Sequence, residues 1–198
     1  RTCGLSNEMV QRILNIAKKY HSATDPFIDG RAITQPSSID HMDEFGLSPQ
    51  MQKLIRDTRE VVPDVMEYVK TTGAQAEKIN IFMADLEERE ILRKELMAMP
   101  ELSISSSMYN NLEVNAKGAD KGSALLWLAD HLGISREETM AFGDGENDIP
   151  MIKAAGIGVA MENALDTVKE AADTITLNND EDGVAAAIRK FIFGSSEE

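Results

Sequence analysis

Met140-Ala141-Phe142-Gly143-Asp144-Gly145-Glu146-Asn147-Asp148 is the stretch on which the reading of this chain turns. Thr139 to Phe142, with apolar Met140, Ala141 and Phe142, reads as a short strand. They run directly into a loop of two glycines and three acids, and Asn147 to Ala155 then reads as a helix with Pro150 in its first turn, where a missing N–H does no harm. Strand, loop and helix in that order belong to a parallel sheet, whose strands present ligands with their carboxyl ends. Asp144, Asn147 and Asp148 are therefore delivered to one working edge. Glycines at 143 and 145 let the backbone turn sharply and approach a ligand. Asp144 and Asp148 stand four positions apart, close enough to share a hard cation such as Mg²⁺, which takes oxygen ligands and keeps several waters. The same letters also suit a plain turn in which Asp and Asn cap the following helix.

Working outward, the alternation continues on both sides. A helix over Lys121 to Leu132 precedes the loop, and a strand (Gly158 to Met161), a helix (Ala164 to Ala172), a strand (Thr174 to Leu177) and a helix (Val184 to Phe191) follow it. Such alternation predicts a parallel sheet covered on both faces. Lys121 opens its helix, where a cation opposes the macrodipole, so helix stability does not account for it. Lys117 is the neighbouring substitute.

Before Asn115 the character is α+β. Ser6 caps a helix that runs toward Tyr20, and Asp29-Gly30 turns a hairpin between Phe27-Ile28 and Ala32-Ile33. Helices are expected over Pro49 to Val62, Pro63 to Lys70 and Leu86 to Met99, with a strand over Ala76 to Met83 and β-rich sequence over Leu102 to Val114. Helices on one face of an antiparallel sheet are the expected packing. The loop Asn115 to Asp120, with Gly118, reads as the linker, giving units 1–114 and 115–198.

Composition narrows the partners. The 198 residues carry 20 Lys plus Arg against 34 Asp plus Glu, a formal charge of −14, which repels nucleic-acid backbones and anionic membranes. No nucleic acid and no membrane is expected as a partner, and no apolar run reaches a membrane span. The single cysteine, Cys3, cannot pair within the chain, so a cytoplasmic setting is the default. His21, His41 and His131 are scattered, Trp127 is expected in the core, and the 11 methionines serve as adaptable packing.

The run from Lys121 to about Phe193 resembles the C-terminal half of the haloacid dehalogenase superfamily, and within it the Cof-type (type IIB) phosphatases. The resemblance rests on Gly143-Asp144-Gly145-Glu146-Asn147-Asp148, on Gly158-Val159-Ala160-Met161-Glu162-Asn163-Ala164 and on Asp182-Gly183-Val184. It implies a partial doubly wound parallel sheet, with the preceding α+β unit as a cap domain. It further implies a Mg²⁺-dependent phosphatase working through an aspartyl-phosphate. Asp144 and Asp148 would be the metal residues, Lys121 would balance phosphate charge, and Asn147 would contact the phosphate. The substrate would be a small phosphorylated metabolite such as a sugar phosphate, pyridoxal phosphate or a nucleotide. The family's nucleophile motif, aspartate-x-aspartate-glycine-threonine after an apolar strand, has no counterpart. Asp180-Glu181-Asp182-Gly183 imitates it but follows the polar Asn178-Asn179. Since the chain also opens on Arg1, it reads as cap plus C-terminal half of a longer phosphatase, inactive alone and prone to self-association through uncovered strand edges. A non-catalytic binding module and a phosphomutase or phosphotransferase on the same fold are the rival readings.

Overall fold

A computed structural model describes residues 3–194, and the tail from Ser195 lies outside the described residues. The polypeptide divides into two compact units, one ending at Ala119 and the other starting at Asp120.

The first unit is built on a six-stranded sheet of β1 (Ser22–Ile28), β2 (Arg31–Thr34), β3 (Glu60–Val61), β4 (Lys78–Met83), β5 (Leu102–Ser105) and β6 (Asn111–Ala116), ordered β3-β2-β1-β4-β6-β5. Only β2 and β3 pair in parallel. Asp29 and Gly30 both adopt positive φ (51° and 73°), as the tight β1–β2 hairpin requires. Helices α1 (Asn7–Ala17), α2 (Pro36–Asp40), α3 (Pro49–Thr58), α4 (Val65–Thr72) and α5 (Leu86–Met97) complete the unit. Alternation along β4 sorts its side chains. Ile79, Ile81 and Met83 enter the main core with Val10, Ile13 and Leu14 of α1, Val69 of α4 and Leu92 of α5. Phe82 points the other way, into a second cluster with Ala23, Phe45, Leu47 and Ile55 of α3. The helices therefore do not all share one face.

Two further expectations are corrected. The helix read over Pro49 to Val62 stops at Thr58, because Glu60 and Val61 pair instead with Ile33 and Thr34. The next begins at Val65 rather than Pro63, capped by Asp64, whose side chain accepts from the Glu67 N–H at 2.8 Å. Nor does β6 stop at Val114; it carries Asn115 and Ala116, placing the start of the expected linker inside the sheet.

The second unit is a parallel sheet of β7 (Met140–Gly143), β8 (Ile157–Ala160) and β9 (Thr174–Ile175), ordered β7-β8-β9. Around it lie α6 (Lys121–Leu132), α7 (Ile149–Ala154), α8 (Asp166–Ala171) and α9 (Gly183–Ile192). Its core joins Ile152, Ala160, Met161, Ala164 and Val168. Trp127 is not in a core: it is 41% exposed and stacks on His131 with ring centroids 5.3 Å apart. Indeed α6 buries only Gly122 and Ala129 and leaves Leu126, Leu128 and Leu132 exposed. Among the described residues no helix is long and apolar enough to cross a membrane.

Candidate active site

β7 ends at Gly143, and the chain turns through Asp144 and Gly145 into a single 3₁₀ turn, Glu146–Asp148, before α7 begins. The Asp148 N–H closes that turn on the Gly145 carbonyl at 3.0 Å. Its side chain then folds back under the strand end. Asp148 Oδ2 accepts from the Asp144 N–H at 3.0 Å and the Gly145 N–H at 3.1 Å, while Lys121 Nζ donates to Oδ1. Asp148 is buried and Lys121 about half-exposed. Burial alone would push the Asp148 carboxyl upward, but the Lys121 bond, the two backbone donors and the Lys121 charge outweigh it and hold the group below the ordinary carboxylate range.

The glycines serve a different end from the one their letters suggest. Neither Gly143 nor Gly145 has a positive φ. A Cβ on Gly143 would overlap the Asp148 side chain, so its bareness makes room for that carboxylate. Gly122 plays the matching part on the other side. A Cβ there would overlap the carbonyl of Pro150, so α6 approaches α7 closely only because residue 122 has none, and this brings Lys121 to Asp148. Gly122→Ala is expected to lower the stability of the second unit by about 1–3 kcal/mol, the usual range for overpacking. Chemical unfolding would measure the loss. NMR should show Lys121 parted from Asp148.

Asp144, by contrast, is exposed. Asn163 Nδ2 donates to its Oδ2 at 3.2 Å and the Leu165 N–H donates to its carbonyl at 3.2 Å. The sequence reading gave Asn163 no role, although its place in the Gly158–Ala164 run marked it. Asn147 is half-buried beside the two aspartates in the same turn. Lys117 belongs to the first unit and its N–H bonds Glu101. Asp180 and Asp182 are exposed in the turn that leads into α9, with Asp182 itself in the left-handed region at φ 55°. No group of three His, Cys, Asp or Glu that could hold a metal by itself occurs among the described residues. An outward, solvent-facing carboxylate such as Asp144 nevertheless suits a hard cation that keeps most of its waters.

This edge of a parallel sheet, with an acidic loop anchored to a lysine from the preceding helix, defines an α/β enzyme core of the kind that binds ligands at strand ends. The chain belongs to the haloacid dehalogenase-like hydrolases, whose family matches it over residues 1–188. A 5-amino-6-(5-phospho-D-ribitylamino)uracil phosphatase of Bacillus subtilis is 50% identical over 114 residues, covering 56% of this chain and 46% of that protein. Thus the chain spans about half the length of the curated relatives it matches. Among solved structures, a haloacid dehalogenase-like hydrolase from B. subtilis superposes with a TM-score of 0.82 at 28% identity, covering 96% of this chain and 72% of that one. A subclass IIB sugar phosphatase gives 0.76 at 26%, covering 96% and 68%.

Proposed function

We propose that this chain is the cap and the electrostatic half of a Mg²⁺-dependent phosphatase for small phosphate monoesters. The observation that carries the reading is the Asp144–Asp148–Lys121 arrangement at the end of β7, which places two carboxylates and one ammonium within a single loop and its neighbouring helix. The names of similar proteins support it: they include phosphatases of a phosphoribitylamino compound and of sugars. Sugar phosphates and related polyol phosphates are accordingly the substrates of choice. The first unit is proposed as the cap.

Asp144 and Asp148 would hold the metal, Asp144 offering the oxygen that Asn163 leaves uncommitted. When bound, Mg²⁺ would neutralise charge on the transferring phosphoryl group. Lys121 would place a second positive charge at the same edge, and Asn147 would donate its side-chain amide to a phosphate oxygen. The attacking carboxylate is proposed to come from a segment outside these 198 residues. It would displace the ester oxygen from phosphorus, and water would then cleave the acyl phosphate to give inorganic phosphate. Two features support such a missing partner. β7 is an edge strand, and large apolar side chains of α6 and α9, including Leu128 and Ile192, are exposed.

Phosphate release from a generic aryl phosphate separates the outcomes. The isolated chain is expected to be inactive, and the complete open reading frame active and stimulated by Mg²⁺. Turnover by the isolated chain at an ordinary enzymatic rate would overturn the reading and return Asp180 or Asp182 to consideration.

A further inference from the structure

The geometry points to Asn163 as a positioning residue that fixes the orientation of the Asp144 carboxylate for a divalent cation and ties it to the turn after β9. The inference rests on the reading of Asp144 as a metal residue and goes beyond it by assigning what holds that residue. Asn163 follows β8 and faces two ways. Its Nδ2 donates to Asp144 Oδ2 at 3.2 Å, and its Oδ1 accepts from the Asn179 N–H at 3.0 Å. The second bond also fixes the assignment of the amide: the oxygen must face the Asn179 donor, so the NH₂ faces the carboxylate. Two residues on, the Leu165 N–H grips the Asp144 carbonyl. Side chain and main chain of Asp144 are thus held from one segment.

Several consequences follow from the chemistry of that amide. Asp144 is exposed and its side chain has no other partner among the described hydrogen bonds, so without Asn163 no hydrogen bond would select one of its rotamers. By occupying Oδ2, the amide leaves Oδ1 as the oxygen turned toward a cation. Being neutral, it orients the carboxylate without competing for the metal charge. An aspartate at 163 would repel Asp144 and could not donate at neutral pH. Asn179 starts the 3₁₀ turn Asn179–Glu181 on the path to α9, so that turn is coupled to the metal edge through one side chain.

Binding of Mn²⁺ to the 198-residue chain, followed by electron paramagnetic resonance of the free ion, tests this without any turnover. Asn163→Ala is expected to weaken Mn²⁺ about 10-fold, the lower end of the range for groups that orient metal ligands. In the complete protein the Mg²⁺ concentration for half-maximal activity should rise by the same factor, with kcat at saturating Mg²⁺ within about twofold; a purely structural role would lower kcat and leave the metal dependence alone. Asn179→Pro gives a second route. It deletes the N–H that holds Asn163, together with the exposed Asn179 side chain, at the first position of a turn preceded by extended Asn178 (φ −70°, ψ 171°), where proline fits. It should also weaken Mn²⁺, by a smaller factor. Unchanged Mn²⁺ affinity in folded Asn163→Ala overturns the inference, as does unchanged affinity in Asn179→Pro should the alanine variant fail to fold. If Asp144→Asn itself leaves Mn²⁺ affinity unchanged, the metal reading of Asp144 falls and this inference with it; if that variant abolishes binding while Asn163→Ala does not, only the inference falls.

Discussion

Asp144→Asn in the complete protein is expected to reduce Mg²⁺-stimulated phosphate release by about a thousandfold or more. Charge stabilisation by a catalytic metal is worth several kcal/mol, and every 1.36 kcal/mol or so is a factor of ten in rate. The substitution changes shape by almost nothing. It leaves an oxygen for Asn163 to donate to, and since Asp144 is exposed and contributes no buried contact, the thermal midpoint should stay close to that of the parent. Loss of activity with an intact fold and lost Mn²⁺ binding is therefore the expected pattern. Full activity toward a generic phosphate ester would remove Asp144 from the metal site.

The contrast between Asp144 and Asp148 shows what a loop sequence carries and what it does not. Four residues apart in one acidic loop, the two were equivalent as letters. In the fold one faces solvent, with a single side-chain donor, and the other is buried with three. What separates them is the missing Cβ of Gly143, which opens the space that Asp148 fills. That function could have been guessed only with the backbone path in hand. Lys121 was legible for a physical reason: a cation at a helix N-terminus needs an explanation, and the Asp148 carboxylate supplies one. The Gly158–Ala164 run marked Asn163 as a residue but not its task, because its two partners lie 19 and 16 residues away in the chain.

The fold divides along the same line. Elements of the second unit followed from local signals: the helix over Lys121 to Leu132 has the bounds read from its apolar spacing, and the strands keep their order. In the first unit, the stretch after Thr58 reads as helix by propensity, yet Glu60 and Val61 join the sheet edge. Parallel pairing with Ile33 and Thr34 satisfies backbone groups that no local pattern records. Trp127 failed for the complementary reason. Apolar spacing marks a face that can be buried but not what buries it, and of α6 only Gly122 and Ala129 are fully buried.

Lys121→Met is expected to lower kcat in the complete protein by about 10²–10³, the range found when one preorganised donor to developing charge is removed. Two roles are open to this ammonium: balancing the phosphoryl charge, and holding Asp148. The pH dependence of stability isolates the second. Asp148 has its folded-state carboxyl held below the ordinary value, with burial opposing and the Lys121 bond the first of the causes that lower it. A depressed carboxyl contributes stability that is present above its unfolded value, about 3.9, and is lost as pH falls through the folded value. Removing Lys121 raises the folded value, so the variant should be less stable than the parent at pH 7, and the gap should narrow as the pH falls and close only below the parent's own lowered value, where both carboxyls are protonated. Urea unfolding at the two ends of that window reads the gap directly. Lys121→Arg, which keeps the charge, should retain most of the stability and less of the turnover, since a planar guanidinium cannot occupy the position of a compact ammonium. An unchanged kcat in Lys121→Met, with the stability gap present, would leave Lys121 as the anchor of Asp148 and assign the phosphate charge to another cation.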